Sequence, residues 1–339
     1  MDVLVTGGAG FIGSHITHRL VSLGHRVTVI DNESTGLRSN VPAEVRYIRG
    51  DVTNPDDLDK AFEERPDAVI HIAGQVSIIR AFSNPVGDLR TNVEGTVNVL
   101  QQCVERGVKR LLYASSMSAY GNAETVPTPE DTPCSPVSYY GVTKYAGERY
   151  VHLTAARPDL PGGLAVTSFR MYNVYGPRQA VDNPYQGVLG IFLGNIIRGE
   201  PIRIYGDGKQ TRDFVFIDDV VDAWVGALDN PASHGKIFNL GSGRQTSISE
   251  LADLALGALG RTRADHPVLY HPERPGEQRS VQADVAYAGS VLGWTPRTRL
   301  EQGLAETVRW ALRENGRENG QDSSEDSGQA NGMAERAVA

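Results

Sequence analysis

Cysteine is nearly absent from this chain of 339 residues, which carries only Cys103 and Cys134. Two such residues make no disulfide framework or metal-ligand pattern, and they suit a reducing cytoplasm. No cluster of His, Cys or carboxylates suggests a metal site. Long apolar runs are missing too, so nothing spans a membrane, and MDVLVTGG leads straight into a strand without a signal peptide. Lysine is scarce, with five among 33 basic residues, which we read as nucleotide-composition bias. A net charge of -8 argues against a nucleic-acid partner. The length exceeds the usual single core, so one large or two joined domains are expected.

Glycine is what the amino terminus has in abundance. DVLVTGGAGFIG is a short apolar strand running into glycines, followed by the helix-like SHITHRLVSLGH. Gly7, Gly10 and Gly13 give the spacing G-x-x-G-x-x-G, and Gly8 also satisfies G-x-G-x-x-G. Glycine permits the tight strand-to-helix turn and the close approach of backbone to a pyrophosphate. The helix start then offers unpaired N–H groups and a positive dipole end to the phosphates. A second strand, HRVTVID, ends in Asp31, where a carboxylate would bond the adenosine ribose hydroxyls. That carboxylate would repel a 2′-phosphate, and Asn32-Glu33-Ser34-Thr35 supplies no arginine to offset it. NAD is therefore favoured over NADP.

Tyr140 and Lys144 stand four residues apart in SYYGVTKYAGERYV, after a strand-like run that ends in a serine pair, LLYASSMSAYG. On a helix, positions i and i+4 share a face, so the phenol and the ammonium can share a pocket. A free tyrosine is a poor base at neutral pH. A nearby lysine cation favours the phenolate, and a hydroxyl such as that of Ser116 can share the proton.

Strands and helices alternate through the first half: VLVTG, RVTVID, VRYIRGD, AVIHIAG, RLLYASS and AVTSFRM, with helical spacers between. The pattern predicts a doubly wound α/β fold, a parallel sheet covered by helices on both faces. After Gly176 the chain becomes richer in Pro and Gly. FVFIDDVVDAWVGAL reads as a helix, and KIFNLGSG as a strand that rejoins the sheet. Residues 1–176 and about 213–242 are thus assigned to a nucleotide-binding domain, and 177–212 with 243–313 to a smaller substrate-binding lobe. From Glu314 onward the polar, low-complexity sequence reads as a disordered tail.

From Asp2 to about Arg313 the chain resembles the extended short-chain dehydrogenase/reductase family, of the NAD-dependent epimerase/dehydratase type, and is most similar to UDP-glucose 4-epimerases. The segments that carry the likeness are TGGAGFIGSH, the acid at Asp31, RGDVTN around Asp51, HIAGQ at 71–75, TNVEGTVNVL, ASSMSAYG, YGVTK, RMYNVYGPRQ, IYGDGKQTRDFVFIDDV and RPGEQRSVQAD. Their order and spacing are more specific than any one of them.

The resemblance implies a Rossmann-type sheet with a C-terminal substrate lobe, NAD as cofactor and a UDP-sugar as substrate. Gly7, Gly10 and Gly13 would then hold the pyrophosphate, Asp31 the ribose and Asp51 face the adenine, with Phe11, Ile12, Asn32 and Val52 also binding the cofactor. Ala73, Gly74 and Gln75 would line the cofactor, with Asn92 fixing a helix start beside it. Lys144 would bond the nicotinamide ribose and lower the pKa of Tyr140. Tyr140 would take the proton from the sugar C4 hydroxyl as hydride leaves that carbon, while Ser116 bonds the reacting oxygen. The resulting 4-keto sugar would turn and receive hydride on its other face.

Asn173, Arg212 and Arg274 align with positions that hold the nucleotide diphosphate, where arginine forks suit phosphate oxygens. Val281 falls where some relatives carry a bulky tyrosine, and would leave room for an N-acetyl group. His71, inside an apolar strand, reads as a core histidine rather than a ligand. Met117 and Ser118 stand where dehydratases carry an acid pair and decarboxylases a glutamate, which disfavours both reactions. The methionine also departs from the alanine or serine often present in epimerases. Other readings of the same fold are a dehydratase, a 4-ketoreductase, a uronate epimerase or a non-catalytic NAD-binding protein. Ser116, Tyr140 and Lys144 together speak against the last. The resemblance also implies a homodimer, built from the helices beginning near Asn92 and Tyr140.

Overall fold

In β1 (Asp2–Thr6), Val3 and Val5 enter one hydrophobic cluster while Leu4 enters another. Successive strand side chains point to opposite faces, so this strand is buried on both, as a parallel sheet with helices on each side demands. The same division recurs downstream, where Ile70 and Leu112 join the first cluster and Val69 and Leu111 the second.

The computed structural model describes residues 1–160, 162–181, 187–273 and 278–314. After β1 come α1 (Phe11–Ser22), β2 (Arg26–Asp31), β3 (Arg46–Arg49), α2 (Pro55–Ala61) and β4 (Ala68–His71). Next are α3 (Ile78–Ser83), α4 (Pro85–Leu89), α5 (Gly95–Arg106), β5 (Arg110–Ser116), α6 (Tyr139–Ala155) and β6 (Ala165–Met171). The second half adds β7 (Asn173–Tyr175), α7 (Val188–Arg198), β8 (Ile202–Tyr205), β9 (Thr211–Arg212), β10 (Phe214–Phe216) and α8 (Ile217–Leu228). Last are β11 (Lys236–Leu240), β12 (Thr246–Ser247), α9 (Ile248–Ala258), β13 (Val268–His271) and α10 (Ala286–Leu292), then a helical stretch over 300–314.

Seven strands form one parallel sheet in the order β11-β6-β5-β4-β1-β2-β3. This is a Rossmann-type doubly wound sheet. The strand order reverses between β1 and β4, and a crevice opens there at the carboxyl ends of the strands. Thr6, Asp31, His71 and Ser116 all end strands at that edge. The strand read in KIFNLGSG does rejoin the sheet, as β11 beside β6. Short ribbons join the segments expected to form the lobe: β9 pairs β12 antiparallel, and β8 pairs β13 parallel.

Two expectations need correction. Phe214–Phe216 is not the start of a helix but a strand parallel to β7, all three residues buried. Its aromatic and β-branched side chains suit a buried pleated strand, and helix begins only at Ile217. Glu314 is not the first residue of a tail, because the helix over 300–314 includes it. Leu304, Val308 and Ala311 bury one face of that helix at spacings of four and three. The remainder of the expected disordered tail, 315–339, lies outside the described residues.

Candidate active site

The turn after β1 is shaped for close approach. Gly7 has φ +71, a conformation open to glycine, and a Cβ on Gly13 would overlap the Gly7 carbonyl. The N-terminus of α1 carries no side-chain cap and no acid in its first turn. Its first N–H groups are therefore left for an anion, which fits a pyrophosphate. A cleft of about 1240 Å³ opens over this turn. Ordinary ligand pockets hold roughly 300–1,000 Å³, so an extended dinucleotide has room here.

The cleft is lined by Gly7, Gly10, Phe11, Ile12 and Gly13, by Asp31 and Asn32 at the end of β2, by Asp51 and Val52 after β3, and by Ala73, Gly74 and Gln75 after β4. Asp31 accepts from Ala9 N at 2.9 Å and Glu33 N at 2.8 Å, and so ties the glycine turn to the loop after β2. Burial pushes its carboxyl above the ordinary range, against the pull of those bonds. Asp51 accepts from Thr53 N, Thr53 Oγ1 and Asn32 Nδ2. Burial works upward on Asp51 as well, but the hydrogen bonds win and hold it below its ordinary value.

Tyr140 and Lys144 share the first turns of α6, which Ser138 caps by accepting from Gly141 N. A Cβ on Gly147 would overlap the Tyr113 hydroxyl, so this glycine lets α6 lie close against β5. Lys144 is buried, its Nζ 4.7 Å from the Tyr113 ring centroid, a cation–π contact. Burial lowers its ammonium to about 8, opposed by the charges of Asp88 and Glu148. Ser116 ends β5, buried, accepts from Ser118 N at 3.2 Å, and lies close enough to Tyr140 to act on its phenol. Burial raises the Tyr140 phenol, Ser116 pulls it down and Asp88 pushes it further up. The net shift at Tyr140 is upward, whereas the sequence led us to expect a phenol lowered by lysine. The reason is physical: desolvation of the phenolate outweighs the help available to it here.

Asn92 is also not at a helix start. Residues 85–106 are helical throughout, with a π-helical stretch at Arg90–Glu94, the kind of irregularity often found at functional sites. From within it Asn92 accepts from Gln75 N at 2.8 Å and donates to Gln75 O at 2.9 Å, clamping the turn after β4. A residue that sequence reasoning missed completes this network. Asp88, fully buried, accepts from Gln75 Nε2 at 2.6 Å, Asn92 Nδ2 at 3.1 Å and Thr143 Oγ1 at 2.7 Å. The only sequence signal for it is its i,i+4 spacing to Asn92. His71 is a core histidine, its ring nitrogens 2.7 Å from Thr6 Oγ1 and 3.0 Å from Thr96 Oγ1.

Asn173 donates through N and Nδ2 to the Asp213 carbonyl. Arg212 Nη1 donates to the carbonyls of Thr211 and Gln278. Val281 is buried beside Tyr172, Ala283 and Met117, the residue after Ser116. The Asp213 carboxylate accepts from Ala283 N and from Ser242 and Gly243, which binds these segments into one wall. Arg274 lies outside the described residues. Arg178 and, from the last helix, Trp310 also line the cleft without having been expected there.

Residues 3–241 match the profile of the NAD dependent epimerase/dehydratase family. A UDP-glucose 4-epimerase of Mycolicibacterium smegmatis is 38% identical over 316 residues, covering 91% of this chain and 97% of that protein. A UDP-N-acetyl-alpha-D-glucosaminuronate decarboxylase of Bacillus cytotoxicus is 33% identical over 322 residues, 91% of this chain and 96% of its own. Among solved structures, the Thermotoga maritima UDP-glucose 4-epimerase with UDP-glucose superimposes with a TM-score of 0.87 at 36% identity, covering 93% and 99% of the two chains.

Proposed function

The chain belongs to the NAD dependent epimerase/dehydratase family, and we propose that within it the protein inverts C4 of a UDP-hexose, interconverting UDP-glucose and UDP-galactose. The observation that supports this reading is that Ser116, at the carboxyl end of β5, acts on the Tyr140 phenol, with Lys144 buried four residues further along α6 and the adjoining turn, Met117–Ala119, free of carboxylates. A decarboxylase or dehydratase needs a further acid or base at that turn.

NAD is the cofactor; held in this cleft it would supply reversible hydride acceptance at C4, so that the reaction has no net redox change. The protein's own groups handle the proton. Tyr140 takes it from the C4 hydroxyl and gives it back, Ser116 holds the reacting oxygen, and Lys144 supplies positive charge near the phenol. Gly7, Gly10, Phe11, Ile12 and Gly13 cradle the pyrophosphate, with Asp31, Asn32, Asp51 and Val52 around the adenosine. Asn173, Arg212 and Arg274 hold the UDP, and 177–212 with 243–313 act as the lobe that closes over the sugar. The protein works as a homodimer through α5 and α6. Supporting this, Val97, Leu100 and Val104 of α5 and Tyr150 of α6 line a shallow groove on the outer face.

The test is incubation of the purified protein with UDP-glucose, UDP-galactose, their N-acetyl forms and UDP-glucuronate, with products resolved chromatographically. Epimers at C4 without accumulating NADH are expected. Release of carbon dioxide, loss of water or steady NADH formation would replace this reading with another from the same family.

A further inference from the structure

Every partner of the Asp88 carboxylate donates to it: the Gln75 and Asn92 amides and the Thr143 hydroxyl. That is the environment of an ionised, acceptor-only group. Among the described residues, no cation forms an ion pair with Asp88. The groups around the Tyr140–Lys144 pair come from four elements: Tyr113 and Ser116 from β5, His71 from β4, Asp88 from α4, and Glu148 on α6 itself. Of the two carboxylates, Glu148 is matched by the two-pronged bond from Arg170, at 2.6 and 2.9 Å. His71 is held well below its ordinary value by burial, to about 3, and is neutral. Asp88 is thus the one carboxylate among these groups that no arginine offsets.

We propose that Asp88 is a positioning residue of the site: buried and hydrogen-bonded to Gln75, Asn92 and Thr143, it sets one negative charge against the first turn of α6, where Thr143 adjoins Lys144 and lies three residues from Tyr140. Its hydrogen bonds at the same time fix the turn after β4 and the first turn of α6 around that pair. A negative charge in this place disfavours the phenolate and favours the ammonium, the directions in which Asp88 acts on each. Removing it while keeping the shape makes both groups release protons at lower pH. The catalytic consequence rests on the reading of Tyr140 as the proton-transfer group, whereas the electrostatic claim does not.

The experiment is a phenolate absorbance titration of the full-length protein, with the signal of Tyr140 isolated by subtracting a matched Tyr140→Phe protein. In Asp88→Asn the Tyr140 midpoint should fall by about one pH unit, roughly tenfold in proton affinity. Asp88→Ser, a smaller neutral replacement, should lower it likewise and serves if Asp88→Asn does not fold. Asp88→Glu retains the charge and should leave the midpoint near that of the parent. An unmoved midpoint in the neutral variants, or an equal fall in Asp88→Glu, overturns the proposal. The titration needs no substrate, so it stays readable in a protein that turns over no UDP-sugar. Where turnover is found, the acid limb of kcat against pH should move to lower pH in Asp88→Asn. Ordinary turnover with a fixed Tyr140 midpoint would sink this inference and leave the epimerase reading standing.

Discussion

Arg170 grips Glu148 through two parallel hydrogen bonds, Nη2 to Oε1 at 2.6 Å and Nε to Oε2 at 2.9 Å, with both side chains buried behind the active-site strand. Ser115 donates to the same carboxylate at 2.7 Å, and the Arg170 guanidinium lies 4.6 Å from the Tyr120 ring centroid. Arg170→Ala should destabilise the protein by about 3–5 kcal/mol, because it leaves a buried carboxylate unpaired. Arg170→Met combined with Glu148→Leu, which removes both charges at once, should recover much of that loss. Denaturant unfolding measures both, and a single variant within about 1 kcal/mol of the parent would contradict the account.

Tyr140→Phe removes one oxygen and leaves the helix and the cleft intact. Turnover should fall by about 10²–10⁴-fold while the NAD content of the purified protein is kept. Near-normal kcat in that variant would remove Tyr140 from the mechanism.

Lys144 gives a pH prediction whose sign follows from its burial. Its folded-state value is about 8, below the ~10.4 of a free lysine. Between those values the unfolded chain binds more protons than the folded one, so this group's contribution to stability rises as pH climbs through the window. Below about 8 the folded protein bears the full burden of a buried ammonium. Lys144→Met should therefore stabilise the cofactor-free protein at pH 7 and flatten its melting temperature between pH 8 and ~10.4, while abolishing turnover. Parallel melting curves of parent and variant across that range would refute it.

The parts of the site that could be read in the sequence are those that depend on near neighbours along the chain. Gly7, Gly10 and Gly13 lie within one turn, and Tyr140 and Lys144 within one helical repeat, so spacing alone brings each set together. The short apolar, β-branched runs at Val3–Val5 and Ala68–Ile70 announce strands for the same reason. The Asp88 network was not legible, because its carboxylate meets Thr143 55 residues away and Gln75 13 residues away. Nothing in SNPVGDLRTNVEG marks the π-helical stretch that turns Asn92 inward. Phe214–Phe216 escaped notice because three residues are too few to show a period, and their pairing with β7 is set by tertiary contact.

The outer face of α6 presents Val142, Tyr150 and Leu153, each about half exposed. Apolar side chains of that size along one helix face belong against a partner. Tyr150→Glu combined with Leu153→Asp should convert a dimer into a monomer by light scattering, with the monomer retaining its helical content. A parent protein that is already monomeric at micromolar concentration would end the homodimer reading.

Val281 gives the prediction for substrate size. It is 5% exposed and packed with Tyr172, Ala283 and Met117. Its backbone N donates to Thr211 Oγ1 at 3.4 Å, beside Arg212. Met117 follows Ser116 directly, so this small cluster connects the serine proposed to hold the reacting oxygen to the wall assigned to the UDP-sugar. On the proposed reading, a tyrosine at 281 is too large for this cluster and turns toward the sugar, where it would collide first with a bulky C2 substituent. The parent should therefore act on UDP-N-acetylglucosamine or UDP-N-acetylgalactosamine as well as on the plain hexoses. Val281→Tyr should lower kcat/KM for the N-acetyl substrates by roughly tenfold or more relative to UDP-glucose, the size of effect that a misfitting group in a pocket produces. Equal losses for both substrate types would mean that the variant only disturbs packing around Tyr172. A parent without N-acetyl activity would mean that another side chain closes the space.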